Sequence, residues 1–476
     1  MNEPAFDLVV VGGGPAGVSG ALTAGVFGKR VALVERADGV GGAGVNTGTI
    51  PSKTLRESAL LLSGWRARKL LGVDVSLKKG ARLRDFVYHA RHVTAAEREA
   101  LQSRLHERGV EMVWGTGKFV DPHTLSIARP DGTTGVVRGE KILVATGSSP
   151  FRPAEFPFEH PRVHDSDEIL NIEEIPTVLA VVGAGVIGAE YACTFRALGV
   201  EVNLIDGRDA LLPFLDEEVS AALERAMTAG GIRIHWNERV VRCEAGASDP
   251  VRLTLSSGLE LPVSDVLVAS GRTSNTATLD LAAAGLTPGE RGLLCVDPHY
   301  RTEVAHIYAA GDVIGAPALA ATGMEQARVA VCHAFELLEK DIAPVLPTGI
   351  YTIPEASMAG ETEQSLKSRG VDYWVGRAPY STSPRGRIIG DESGFLKLLF
   401  RREDMRLVGV HALGEQATEL IHIGLVALLR ECDAEFFSRT CFNYPTLGDL
   451  YKYAAYDAMV QRLRPGTRLL GATDGP

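Results

Sequence analysis

Cysteine is scarce and oddly placed: none occurs before residue 193, and the six present are Cys193, Cys243, Cys295, Cys332, Cys432 and Cys441. No two are spaced as Cys-x-x-Cys, which argues against a zinc ribbon, a thioredoxin-type pair or a disulfide-stapled scaffold. Scattered in this way they read as small core hydrophobes. Positive charge is also in deficit: 49 Lys and Arg stand against 59 Asp and Glu, a formal net charge of −10. Such a chain repels nucleic-acid backbones and anionic membrane surfaces, so neither is expected as a partner. An anionic ligand must then be held by local devices, such as helix N-termini and single arginines. Long apolar runs are missing as well, so no membrane span is expected. The first apolar stretch, 6–11, enters glycines directly with no basic flank or cleavage-like site, and reads as a strand rather than a signal peptide. A cytoplasmic location is the default expectation. Histidines such as His422 show no ligand spacing, and no metal is expected.

Glycine, by contrast, is abundant (52 in 476 residues) and concentrated at informative places. The β-branched run Leu8 to Val11 leads into Gly12-Gly13-Gly14-Pro15-Ala16-Gly17, then an alanine-rich stretch to Gly28, then a second strand, 31–34, ending in Glu35. Much later Val178 to Val182 leads into Gly183-Ala184-Gly185-Val186-Ile187-Gly188, a helix-like stretch to Gly199, and a strand, 201–205, ending in Asp206. Each is strand, glycine turn, helix, strand, acid: a βαβ unit occurring twice. In such a unit the first glycine permits the tight turn, the second lets a pyrophosphate approach the backbone, and the third lets helix pack against strand. The helix N-terminus offers unpaired N–H groups and partial positive charge to the phosphates. Glu35 and Asp206 are placed to accept hydrogen bonds from ribose hydroxyls. Two such sites in one chain predict two dinucleotides, a flavin and a nicotinamide.

Between the units the pattern predicts a polar helix over 95–108, a β-rich stretch over 113–127, and a buried strand, 141–144, entering Ala145-Thr146-Gly147. Strands are expected at 265–269, before Ser270-Gly271-Arg272, and at 306–309, before Gly311-Asp312. Beyond about residue 347 the reading is α+β, with strands at 394–400 and 407–413 and helices at 418–429 and 448–459. The Gly/Pro/Thr-rich end, 465–476, is expected to fray.

Gly41-Gly42, Gly48-Thr49-Ile50-Pro51-Ser52-Lys53, Ala145-Thr146-Gly147-Ser148, Gly183 to Glu190 and Gly311-Asp312 together resemble, nearly end to end, the pyridine nucleotide-disulfide oxidoreductase family of lipoamide dehydrogenase and glutathione reductase. The resemblance implies an α/β fold with two Rossmann-like dinucleotide-binding domains, for FAD and NAD(P), and a C-terminal α+β dimerisation domain. It implies a flavin-binding part at 1–150, an NAD(P) part at 151–270, a return to the flavin domain at 271–346 and a dimerisation domain at 347–476, in a homodimer or higher homo-oligomer. On the same resemblance FAD is held by Gly12, Gly14, Gly17, Glu35, Arg36, Gly41, Gly42, Gly44, Thr49, Lys53, Thr146, Gly147, Asp312 and Ala320. NAD(H) or NADP(H) is held by Gly183, Gly185, Gly188, Glu190, Asp206, Arg208, Val240 and Gly271. Lys53 is implied to lie near flavin N5 and to pair with Glu190, these two being the catalytic residues. The helix beginning near Ala320 is implied to aim its N-terminus at flavin N1/O2.

The departures carry as much as the match. The family pattern is GGxCxNxGCIPSK, and this chain has Gly44 and Thr49 where the two redox cysteines belong. Neither side chain forms a disulfide or a thiolate. The family's C-terminal His-Pro-Thr reads Tyr444-Pro445-Thr446 here, and a phenol with a pKa of about 10 is a poor base at neutral pH. The cysteines and their base are lost together. GTIPSK and Phe442-Asn443-Tyr444-Pro445-Thr446 are similar to one branch of the family, the soluble, Si-specific NAD(P)+ transhydrogenases, which commonly keep a cysteine at the position of Gly44. That resemblance implies hydride transfer between NADPH and NAD+ without a redox-active disulfide. A quinone or dye reductase with the same flavin chemistry, and a redox-inactive homologue, are the alternatives. For nucleotide choice, Asp206 favours a free 2′-hydroxyl, whereas Arg208 suits a 2′-phosphate or is a solvated loop charge.

Overall fold

A computed structural model describes residues 5–62, 82–246, 250–337 and 341–463; the 465–476 tail lies outside them. Strand β1 (Ala5–Val11), helix α1 (Pro15–Val26) and strand β2 (Val31–Glu35) form the first unit. Both β2 and the long strand Thr134–Val144 run parallel to β1, one on each side. Both faces of this sheet are covered, which is why Leu8, Val9 and Val10 form an unbroken apolar run with at most 1% exposure. On one face α1 packs beside the helix Ala320–Ala334, through Ala16, Ala21 and Ala24 against Ala327, Ala330 and Val331. Small residues are required there: a Cβ on Gly20 would stand 2.5 Å from a methyl of Leu143.

The chain leaves this sheet after Val144 and returns to it late, when Ile307–Ala309 pairs in parallel with Ile142–Val144. In between it builds a second parallel sheet with Val178–Val182 at its centre, flanked by Glu201–Asp206 and Asp265–Val268, with Arg233–Trp236 and Val163–Asp165 at the edges. The helix Val186–Ala197 crosses from the first to the second strand of that unit. A third sheet, antiparallel and five-stranded, is built from residues 348–414. It is covered by the helices Ala417–Leu429 and Leu450–Leu463.

The expected elements are present, with shifted ends. The helix read at 95–108 begins much earlier, spanning Leu83–Glu107, and the last runs to Leu463 instead of ending at 459. The 113–127 stretch is three short strands, Glu111–Trp114, Thr116–Asp121 and Thr124–Ala128. The cysteines correct one expectation. Cys193 and Cys332 are buried, and burial pushes the Cys193 thiol up to about 12, but Cys295 and Cys441 are exposed. Being core hydrophobes does not account for that exposed pair.

One buried polar cluster joins the second unit to the third sheet. Lys397 is 0% exposed, and its ammonium meets Asp216 at 2.6 Å, Glu218 at 2.8 Å and Glu363. Asp216 also caps the helix Glu217–Ala229 and accepts the Glu363 N–H at 3.1 Å. Burial alone would depress the lysine, yet the carboxylates of Asp216 and Glu218 hold its pKa above the ordinary value. His411 lies beside them, fully buried; desolvation drives it from 6.5 down to about 4, so it is neutral. Its Nε2 hydrogen-bonds the Glu361 carbonyl at 2.9 Å.

Candidate flavin and nucleotide sites

The two glycine turns are constructed alike to within tenths of an ångström. Gly12 and Gly183 have φ of +106° and +104°, a left-handed conformation that disfavours any side chain. A Cβ on Gly17 would lie 1.8 Å from the Gly12 carbonyl oxygen, and one on Gly188 the same 1.8 Å from that of Gly183. The middle glycines differ. Gly185 has nothing within 4 Å of its missing Cβ, and Gly14 only the Cα of Gly42 at 3.8 Å. The first and third glycines are thus consumed by the fold, while the second faces open space, as a phosphate cradle requires. The acids correspond too: Glu35 accepts the Gly13 N–H at 2.7 Å, and Asp206 accepts the Ala184 N–H at 2.6 Å. Each carboxylate thus rims its own glycine turn.

Several features fit a flavin dinucleotide on the first unit. Thr146 Oγ1 is buried and has no hydrogen-bond partner, a costly state unless a ligand satisfies it. A cleft lined by Gly12, Glu35, Arg36, Thr116, Thr146 and Asn275 opens beside that atom. Gly147 (φ +68°) leaves open space at the same turn, which Asn275 ties down through its backbone N–H to the Gly147 carbonyl and its side-chain amide to that of Thr146. The helix starting at Ala320 has no side-chain cap, so its first N–H groups are free for a ligand. Asp312 accepts a hydrogen bond from Ser148 Oγ at 2.7 Å, and Arg272 donates to that same hydroxyl at 2.7 Å. Ser148 and Arg272 lie inside motifs quoted from the sequence and Asn275 three residues beyond the second, but none of the three was named there as a site residue.

The segment after β2 holds Gly44 and Thr49, the two residues that depart from the cysteine pattern. Gly41 and Gly42 have φ of +106° and +50°, and a Cβ on Gly42 would meet the Cα of Gly14 at 2.7 Å. They press the short helix α2 (Gly42–Asn46) against the first glycine turn. Gly44 is packed as well: its Cβ would stand 2.6 Å from Pro15 Cγ. Thr49, exposed, begins helix α3 (Thr49–Leu62), which carries Lys53 one turn further on.

Lys53 reaches across to the second unit. Its ammonium meets Glu190 Oε2 at 2.6 Å and lies 5.0 Å from the ring centre of Tyr351. The other oxygen of Glu190 accepts the Tyr351 N–H at 2.9 Å. One carboxylate from the nucleotide unit therefore fixes a lysine of the flavin unit and a backbone strap of the third region. Beside this junction lies a cavity of about 310 Å³ whose lining includes Lys53, Arg56, Leu60, Tyr351, Pro354 and Glu419.

On the second unit Arg208 is engaged with Asp206, its Nε and Nη2 donating to the two carboxylate oxygens at 2.9 and 2.7 Å. Gly271 (φ +117°) turns the chain after Val268. Val240 differs from the rest: its side chain is 7% exposed and packs in the core with Ile205 and Leu255. His422 is exposed on its helix. Among the described residues the sole cluster with metal-ligand geometry, Asp216, Glu218 and Glu363, already surrounds Lys397. No described helix is long and apolar enough to cross a membrane.

Comparison with known proteins agrees with this geometry. The chain is 43% identical over 457 residues to a soluble pyridine nucleotide transhydrogenase of Mycobacterium bovis, covering 95% of this chain and 97% of that protein. It is 41% identical over 460 residues to one of Colwellia psychrerythraea, covering 95% and 98%. Among solved structures, LpdA of Mycobacterium tuberculosis superposes with a TM-score of 0.87 at 29% identity, covering 94% of this chain and 98% of that one. The HOCl-induced flavoprotein disulfide reductase RclA of Escherichia coli, in its Cu(II) complex, gives 0.85 at 26% identity, covering 96% and 99%. Residues 6–334 match the pyridine nucleotide-disulphide oxidoreductase profile, and residues 346–455 match the dimerisation domain of the same name. With two dinucleotide cradles, a lysine–glutamate bridge between them and these matches along its length, the chain belongs to the pyridine nucleotide-disulphide oxidoreductase family, enzymes that use FAD together with a nicotinamide dinucleotide.

Proposed function

We propose that the protein transfers hydride between NADPH and NAD+, both nucleotides using the second glycine turn in succession, and that no redox-active disulfide takes part. The observation that carries this reading is the pairing of an intact Lys53–Glu190–Tyr351 bridge with Gly44 and Thr49 at the positions of the family's cysteines. On this reading the bridge serves exchange between flavin and nicotinamide, and no cysteine stands at these two positions to carry electrons onward. The names of the M. bovis and C. psychrerythraea relatives support the same assignment.

When bound, FAD would supply the hydride-transfer chemistry. The chain supplies position and charge. Gly12, Gly14 and Gly17, with the N-terminus of α1, receive one pyrophosphate; Gly183, Gly185 and Gly188 receive the other. Glu35 would take a ribose hydroxyl, Asp206 would do so only in exchange for one of the Ala184 and Arg208 donors that fill it, and Thr146 Oγ1 would gain the partner it lacks. Lys53 sets a fixed cation at the reacting end, held in place by Glu190, where negative charge gathers on reduction. The uncapped N–H groups at the start of the Ala320 helix would add partial positive charge toward a bound flavin. We assign 1–150 and 271–346 to the flavin domain, 151–270 to the nucleotide domain and 347–476 to dimerisation. The six cysteines are all free, which suits the reducing cytoplasm, where NADPH and NADH pools meet.

The cavity beside Lys53 and Tyr351 supports a second reading, an NAD(P)H-dependent quinone or dye reductase whose aromatic acceptor enters there. Anaerobic reduction of the yellow protein by NADPH, followed by mixing with NAD+ or a quinone, separates them. Rapid reoxidation by NAD+ with NADH formed in equal amount supports transhydrogenation, and reoxidation by the quinone alone overturns it. No bleaching by either nucleotide would leave a cofactor-bound protein without this activity.

A further inference from the structure

The loop after the second unit's acid holds one arginine that the fingerprint does not account for. Asp206 and Arg208 neutralise one another in a forked pair, and the Arg208 N–H adds a third bond to the same carboxylate at 2.9 Å. A neighbouring loop is tied alongside, backbone to backbone: the Asn237 N–H donates to the Arg208 carbonyl at 2.9 Å, and the Glu238 N–H to that of Asp206 at 3.0 Å. Asn237 takes a left-handed φ of +59° to make this turn. The result sets Arg239 across Gly207, where a Cβ would lie 3.0 Å from the arginine's Nε and 3.3 Å from its Cγ. The acid beside it is turned elsewhere, for Glu238 accepts from Ser256 Oγ at 2.7 Å and from the Ser257 N–H at 3.1 Å. Among the described residues the exposed guanidinium of Arg239 has no hydrogen bond and no ion pair; its backbone N–H and carbonyl bond to Ser256.

We propose that Arg239, acting with Arg208, is the receptor for the 2′-phosphate of NADP(H), and that it determines how well this site takes the phosphorylated nucleotide. The inference rests on the reading above that both dinucleotides use the second unit. A 2′-phosphate brought to Asp206 alone would meet like charge. Here Arg208 cancels that charge and keeps its outer edge available, while Arg239 adds an uncommitted cation from a different strand connection. An unphosphorylated ribose carries no charge for the arginines to meet and needs neither. One site then accepts both nucleotides with no rearrangement of the glycine turn, as an enzyme that must bind them in succession requires.

The test is equilibrium binding, by calorimetry on the full FAD-loaded chain, of adenosine 2′,5′-bisphosphate and of 5′-AMP. Wild-type protein should prefer the bisphosphate, and Arg239→Gln should weaken it by about 10-fold to 100-fold, the range for losing a charge-assisted contact, with 5′-AMP affinity retained. Arg239→Lys should recover part of the loss, and the salt dependence of bisphosphate binding should become shallower in Arg239→Gln. Retained flavin absorbance shows that each variant is folded. Equal weakening of both ligands, or no weakening of either, overturns the proposal, as does a wild type that does not distinguish them. Because no acceptor is involved, a protein that binds in this pattern yet is not reoxidised by NAD+ would disprove transhydrogenation while leaving the Arg239 subsite standing.

Discussion

Glu190 does two jobs with two oxygens, one on Lys53 and one on the Tyr351 N–H. Replacing it with Gln keeps the shape and removes the charge, so Lys53 loses its anchor while the fold keeps its strap. Glu190→Gln should slow anaerobic flavin reduction by NADPH about 10-fold to 100-fold, the kinetic equivalent of a charged hydrogen bond, in stopped-flow absorbance. Unchanged reduction would remove the bridge from the mechanism. At this scale the sequence was uneven. The fingerprint glycines were legible because their requirement is steric and local, a carbonyl 1.8 Å from where a Cβ would go. The Lys53–Glu190 pair spans 137 positions, so no spacing rule finds it, and it came from family resemblance. Arg239 and the links of Arg272 and Ser148 to Asp312, a residue that was itself named, went unread because each depends on segments that meet only after folding. Arg208, which the sequence left between a phosphate ligand and a loose loop charge, is bound to its neighbour Asp206.

At the scale of the element, the two glycine turns offer a clean contrast. Gly188→Ala places a methyl 1.8 Å from the Gly183 carbonyl oxygen, so the helix Val186–Ala197 must move away from its strand. That should abolish or sharply weaken NADPH binding while the protein remains yellow; measured by nucleotide titration and by flavin content, retention of both would contradict the cradle's role. The strands of both units were readable because each is a β-branched run buried on both faces. The helix Leu83–Glu107 was half missed because just four of its 25 residues are buried, Leu83, Val87, Ala90 and Leu105. So thin an apolar stripe gives a faint helical period, and the aromatic and β-branched residues of its first half blur it further.

Across the whole molecule, the buried Lys397 cluster ties the nucleotide unit to the third sheet, and it gives folding a pH dependence of definite sign. His411 is neutral in the folded protein, with a pKa near 4 against 6.5 when unfolded. Below pH 6.5 the unfolded chain therefore binds the extra proton, and stability falls as pH drops toward 4, by roughly 3 kcal/mol from this residue. Asp216, Glu218 and Glu363 have lowered values in the folded state and add their own losses at more acidic pH. His411→Gln, whose amide substitutes for Nε2 at the Glu361 carbonyl, should flatten the decline in thermal midpoint between pH 6.5 and 4; an unaltered slope would assign the acid sensitivity elsewhere. None of this cluster was visible in the sequence, where its members are ordinary surface-type charges in separate segments. The order of sheets was legible from the two strand–turn–helix units, but not how they are fastened.

The late return of Ile307–Ala309 to the first sheet sets a schedule for synthesis. The ribosome completes β1, β2 and Thr134–Val144 early, yet the edge at Ile142–Val144 keeps its backbone groups unpaired until the whole second unit has emerged. At about 5–20 residues per second that interval lasts roughly 10–30 seconds. Ser148 waits equally long for Asp312, and the Ala320 helix end comes later still. The nascent chain thus holds an open strand edge, and a half-made yellow site, for longer than many whole domains take to fold.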